Sequence, residues 1–148
     1  MLLDLDTEPT ETEYAFEDIS ENDKCVRTLV FDKARFDAFI ELTDDRALVH
    51  VDEVHAKEMG YPKIIAHGLL VASSYSRMLG MFLPGPKSII HSIRLDMLQP
   101  VFLGDIVRFE VIVVRKVESI KAVKLSLAAF NQHDVTVGRG SAQCLFPE

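Results

Sequence analysis

The chain has 148 residues, 48% of them apolar, and a formal net charge of −7, which is one domain's worth of sequence with ample material for a core. The charge is unevenly placed: residues 1–23 hold nine acids and no Lys or Arg, so the remainder has fourteen acids against sixteen bases. A nearly neutral body lacks the basic stripe of a nucleic-acid binder, and the acidic opening lacks the basic and apolar regions of a secretory signal.

Residues 1–23 are expected to form a solvated acidic arm and residues 24–148 a single domain. Residues 24–31 have strand-forming content and suit a sheet edge. Asp32 stands at an N-cap position before a helix over 33–42, whose Phe36, Phe39 and Ile40 share one face. A polar break at 43–46 follows. Asp52 then caps a short helix over 53–59, closed by Gly60 with Pro62 beyond. The segment 66–82 is the most apolar of the chain and carries no charge from Gly68 to Ser76. It is too short and too rich in Ser to cross a bilayer, so it reads as a central helix wrapped on all sides. Pro84-Gly85-Pro86 ends it.

Four strands with period-two patterning complete the chain. Ile89, His91, Ile93, Leu95 and Met97 alternate with polar residues in the first, and Val107, Phe109, Val111 and Val113 share a face of the second. The third carries Val123, Leu125, Leu127 and Ala129. The last has Gly138, Gly140, Ala142 and Cys144 on one face, small residues that admit a closely packed helix. A hairpin turn is expected at 131–134. The order predicts an α+β hotdog fold, an antiparallel sheet of about five strands wrapped around one long central helix. Its open edge predicts a homodimer with a continuous sheet. Cys25 and Cys144, without a secretory signal, predict free thiols in a cytoplasmic protein.

Two candidate components of a site emerge. Asp45 and His50, before the central helix, supply a carboxylate and an imidazole for acid–base chemistry on a water molecule. A surface carboxylate and a structural histidine fit the same spacing. His67-Gly68 begins the central helix, where free backbone N–H groups and the helix dipole favour a ligand oxygen, and Gly68 leaves its N–H open to one. Close packing against the sheet explains a glycine there equally well. His67 reads as a structural, hydrogen-bonded helix-entry residue, and Ser76 on the same helix as a serine bonded back to the i−4 carbonyl. His50 and His55 miss the spacing of a helical zinc pair, so no metal is assigned.

Residues 36–105 resemble the MaoC-like, (R)-specific enoyl-CoA hydratases. The resemblance rests on Leu42-Thr-Asp-Asp45-Arg-Ala-Leu-Val-His50 and on Ile65-Ala-His67-Gly68-Leu-Leu70, with support from Pro100-Val-Phe-Leu-Gly-Asp105. It implies hydration of a trans-2-enoyl-CoA, with Asp45 and His50 catalytic, the Gly68 N–H on the thioester oxygen, and Ser76 supporting the site. It implies coenzyme A thioesters as substrates, no further cofactor, no nucleic-acid or membrane partner, and a homodimer or an assembly of dimers. Ala47 and Leu48 depart from the motif's Asn and Pro. A non-catalytic acyl-thioester-binding protein and a hotdog thioesterase are the alternatives.

Overall fold

The computed structural model describes residues 1–7 and 13–147. The chain runs β1 (Leu2–Asp4), β2 (Lys24–Val30), α1 (Lys33–Thr43), α2 (Leu48–Val51), α3 (Glu53–Glu58), α4 (Gly68–Arg77), β3 (Ile89–Met97), β4 (Ile106–Val117), β5 (Ala122–Phe130) and β6 (Thr136–Leu145). The six strands form one sheet in the order β1-β2-β4-β5-β6-β3. All pairings are antiparallel except β1 with β2. This is the expected hotdog arrangement, with one strand more than anticipated.

The alternation read from β4 and β5 is realised in the core. Val107, Phe109, Val111 and Val113 are buried together with Val123, Leu125 and Leu127. They pack in one cluster with Leu70, Val71, Tyr75, Met78, Leu79 and Phe82 from α4 and the widened turn, Met78–Phe82, that extends it. Those positions recur at three- and four-residue spacing, so the helix presents a single stripe to the sheet.

Four expectations are corrected. First, the central helix is not wrapped all round: Leu69 is 74% exposed, and Ser73, Ser76 and Arg77 share its open face. Second, the acidic segment is not a separate arm over its described residues. Leu2–Asp4 adds a strand beside β2, and Phe16 and Ile19 are buried in the common core. Phe16 meets Phe146 edge-on at 5.6 Å, under the Lys116 ammonium. The acids Glu8 and Glu11 lie outside the described residues. Third, β2 is not the sheet edge, because β1 flanks it. Fourth, the small residues of β6 serve a strand. A Cβ at Gly140 would collide with the Arg94 carbonyl of β3. β3 is therefore drawn tightly onto β6, while among the described residues its other edge is unpaired and its side chains are largely exposed.

The caps and the closing glycine read from the sequence hold, whereas the alternation expected from Ile89 to Met97 is interrupted by a bulge between Ile90 and Ser92. Asp32 accepts the Arg35 amide at 3.0 Å and starts α1. Asp52 accepts the Val54 and His55 amides and starts α3. Gly60 turns the chain with φ of 90°, a conformation that favours glycine. No described helix is long and apolar enough to cross a membrane.

Candidate active site

The site begins where α1 ends. Asp44 takes a left-handed conformation that breaks the helix, and the next residue, Asp45, turns back on itself. Its Oδ1 accepts the Ala47 amide at 3.1 Å, while its own amide donates to Thr43 Oγ1. That turn delivers the chain into α2, a single helical turn not anticipated from the sequence, which carries His50. Leu48 occupies its first helical position, where proline is favoured because the N–H is free anyway. The turn closes without proline, through the His50 amide on the Ala47 carbonyl at 2.9 Å.

The segment before α4 holds α2 in place. Ile65 donates its N–H to the Val49 carbonyl at 3.1 Å, and its carbonyl accepts His50 Nδ1 at 2.8 Å. A carbonyl only accepts, so Nδ1 carries the proton and Nε2 of the neutral ring presents a lone pair. His67 is buried. Its Nε2 donates to the Asp45 carbonyl at 3.0 Å and lies 3.9 Å from Asp45 Oδ2. Its ring stacks on His50, with centroids 3.9 Å apart, and packs against Phe39 at 5.0 Å. His67 Nδ1 is buried without a hydrogen-bond partner.

The structure thus brings Asp45, His50 and His67 together, with nitrogen and oxygen atoms within 4.8 Å of one another. The donor types suit a metal. However, stacked imidazoles present their lone pairs side by side, and a metal needs ligands that converge on one point. As folded, the cluster is better made for hydrogen bonds and proton transfer.

Gly68 opens α4, and the first intrahelical bond comes from the Val71 amide to the His67 carbonyl. The Gly68 N–H is therefore one of the free donors at the positive end of the helix dipole. Its backbone is not left-handed, and a Cβ there would meet only the flexible Met97 side chain at 3.5 Å, an ordinary contact. Neither conformation nor packing demands glycine at this position. Gly68 and His50 line one cavity of about 360 Å³, with Tyr61, Val71, Met97 and Val101 among its walls. Tyr61 lies between the two motif segments without being part of either, and Met97 reads from the sequence as core filler whose softness would also suit an acyl tunnel. Ser76, expected to support the site, lies on the open face of α4, about 12 Å along the helix from Gly68. It is exposed there.

A sheet folded over one helix, with a carboxylate and an imidazole facing the start of that helix, defines a hotdog protein equipped for acid–base work. Residues 13–133 match the family model described as MaoC like domain, and the chain belongs to this family of hydratases and dehydratases. It is 34% identical over 117 residues to the (R)-specific enoyl-CoA hydratase of Aeromonas caviae, covering 79% of this chain and 87% of that one. It is 28% identical over 123 residues to a mitochondrial 3-hydroxyacyl-[acyl-carrier-protein] dehydratase of Arabidopsis thaliana, covering 81% and 73%. Among solved structures, the unliganded R-hydratase PhaJ1 of Pseudomonas aeruginosa superposes with a TM-score of 0.83 at 28% identity, covering 90% of this chain and 85% of that one.

Proposed function

We propose that this protein reversibly hydrates a trans-2-enoyl-CoA to a (3R)-3-hydroxyacyl-CoA, with Asp45, His50 and the Gly68 N–H as its working groups. The observation that carries this reading is the tautomer imposed on His50. With Nδ1 committed to the Ile65 carbonyl, its Nε2 accepts one hydrogen of a water while the Asp45 carboxylate accepts the other. As the water oxygen adds to C3, its proton passes to Asp45 and the C2=C3 π pair moves toward the thioester oxygen. The Gly68 N–H stabilises the resulting enolate in the manner of an oxyanion hole. Asp45 then returns a proton to C2, and dehydration is the reverse. The apolar cavity beside Gly68 holds the acyl group. Two copies joining through their β3 edges would bury Ile89, Ile93 and Met97, which are all exposed in the single chain.

The test is loss of enoyl absorbance from a panel of trans-2-enoyl-CoA thioesters with purified protein. Asp45→Asn and His50→Ala are each expected to lower the rate by about 10²–10⁴. Full turnover in either variant would sink the assignment. Release of free thiol would identify a thioesterase instead, and binding without turnover a non-catalytic acyl-thioester protein.

A further inference from the structure

Asp105, at the entrance to β4, is only 8% exposed. A buried carboxylate needs committed donors, and each of its oxygens has one. Oδ2 accepts the Phe102 N–H at 2.8 Å, and Oδ1 accepts Gln132 Nε2 at 2.8 Å. Gln132, in the β5–β6 connection, is fixed in turn, because its Oε1 accepts the Ile106 amide at 3.1 Å. The backbone of Asp105 is held as well. Its carbonyl accepts the Phe31 amide at 2.8 Å, and its N–H donates to the Phe102 carbonyl at 3.0 Å. That last bond closes a four-residue turn whose third residue, Gly104, has φ of 93°, the turn position that demands positive φ. Asp105 therefore holds both backbone groups of Phe102.

Phe102 faces Ile65 across a short antiparallel pairing. Its hydrogen bonds are made by the flanking residues, from the Ala66 N–H to the Val101 carbonyl at 2.7 Å and from the Leu103 N–H to the Ile64 carbonyl at 3.1 Å. In such a pair the two facing residues turn their own N–H and C=O outward, away from each other. Those of Phe102 go to Asp105. Those of Ile65 go to α2, its N–H to the Val49 carbonyl and its carbonyl to His50 Nδ1. The direction of the Ile65 carbonyl, which keeps the proton on Nδ1, is thus set by a ribbon whose far side Asp105 clamps. The link from carboxylate to imidazole runs through backbone alone.

We propose that Asp105 is a positioning residue for His50: by clamping Phe102 it holds residues 64–66 where the Ile65 carbonyl captures the Nδ1 proton. A neutral imidazole carries its proton on either nitrogen, and the partner of one nitrogen decides which. Without the clamp the Phe102 N–H loses its acceptor, residues 101–103 re-seat to satisfy it, and the Ile65 carbonyl moves with them. The Nε2–H tautomer then gains population, and in that form Nε2 cannot accept a water hydrogen. The catalytic consequence rests on the hydratase reading above; the tautomer does not.

The test reads the tautomer directly, by long-range proton–nitrogen NMR of the histidine rings at about pH 8, where an ordinary imidazole is neutral. His50→Ala assigns the signals. The wild type should show His50 protonated on Nδ1. Asp105→Ala should populate the Nε2–H form and lower kcat for an enoyl-CoA about tenfold, the worth of one hydrogen bond, with KM changed less than about twofold. Asp105→Asn keeps an oxygen for Phe102 but sets its amide against Gln132 Nε2, so it should show a weaker form of both effects. Adding Gln132→Glu to Asp105→Asn should reverse them, because the new carboxylate accepts both the asparagine amide and the Ile106 N–H. Gly140→Ala, which strains the sheet elsewhere, should leave the tautomer alone. A folded but destabilised Asp105→Ala with His50 still on Nδ1–H would make Asp105 purely structural and overturn the proposal, as would an equal tautomer shift in Gly140→Ala. If Asp105→Ala fails to fold by circular dichroism, Asp105→Asn and the double variant decide. A shift in the single that the double reverses supports the clamp, and a single identical to wild type overturns it. Should the wild type hydrate no enoyl thioester, the NMR readout still decides: a shifted tautomer in the Asp105 variants upholds the positioning role, and an unshifted one overturns it.

Discussion

The rings of His50 and His67 stack with their centroids 3.9 Å apart and their planes 28° from parallel. His67 also donates to the Asp45 carbonyl, so one buried side chain braces both residues of the proposed catalytic pair. His67→Ala is expected to lower kcat more than it changes KM, and to cost roughly 1–3 kcal/mol in stability through the orphaned carbonyl. His67→Gln retains an N–H donor and should recover part of both. Steady-state kinetics and thermal melts check this; an unchanged kcat in His67→Ala would remove the bracing role.

Gly68 offers a cleaner separation of structure from function. Its added Cβ fits against Met97, so Gly68→Ala should leave the unfolding free energy within about 0.5 kcal/mol of wild type, as unstrained substitutions do. It should still reduce kcat/KM by about 10²-fold, the size of effect seen when an oxyanion donor is lost. A destabilised but fully active variant would return Gly68 to a packing role.

Two glycines on one face of β6 should behave differently. At Gly140 a Cβ runs into the Arg94 backbone, whereas at Gly138 the nearest atoms lie 3.7 Å away. Gly140→Ala is expected to destabilise the protein by about 3 kcal/mol, because β3 must shift, and Gly138→Ala to be nearly silent. Urea unfolding of the two variants compares them directly.

Burial pushes the Cys25 thiol up from 9.0 to about 12 and the Cys144 thiol up from 9.0 to about 11. Both should resist iodoacetamide at neutral pH in the native state and react once denatured. The folded chain keeps these protons at pH values where the unfolded chain releases them. Their contribution to stability is therefore complete below pH 9 and declines as pH rises toward 11–12. Denaturation midpoints measured across that range should fall with pH; a rise would contradict the assignment.

The unpaired edge of β3 supplies the last prediction. Ile93 is 46% exposed there, and Ile93→Lys places a charge where a second copy would pair. Light scattering should find a dimer in the wild type and a monomer in the variant. A monomeric wild type would count against the proposed assembly.

Much of this architecture was legible because its signals are local. Period-two alternation in β4 and β5, the N-caps at Asp32 and Asp52, and the glycine after α3 each depend on a few neighbouring residues. Asp45, His50 and Gly68 were legible as candidates through a motif. What could not be read were elements too short for any period. β1 is three residues beside acids, and α2 is one turn stabilised by Ile65, fifteen positions away. Phe16 and Ile19 were hidden by the charge around them, although burying two apolar side chains outweighs the cost of ordering a short acidic segment.

By itself the sequence determined the secondary structure of the main body, the hotdog order of its elements and the residue types of an acid–base site. Only the tertiary structure decided which tautomer His50 adopts, that His67 braces Asp45 and that Ser76 lies on the exposed face of α4. The first set follows from backbone preference and periodic burial, which act over one or two turns of chain. The second depends on which atoms meet after strands far apart in sequence have paired, and no local pattern records that.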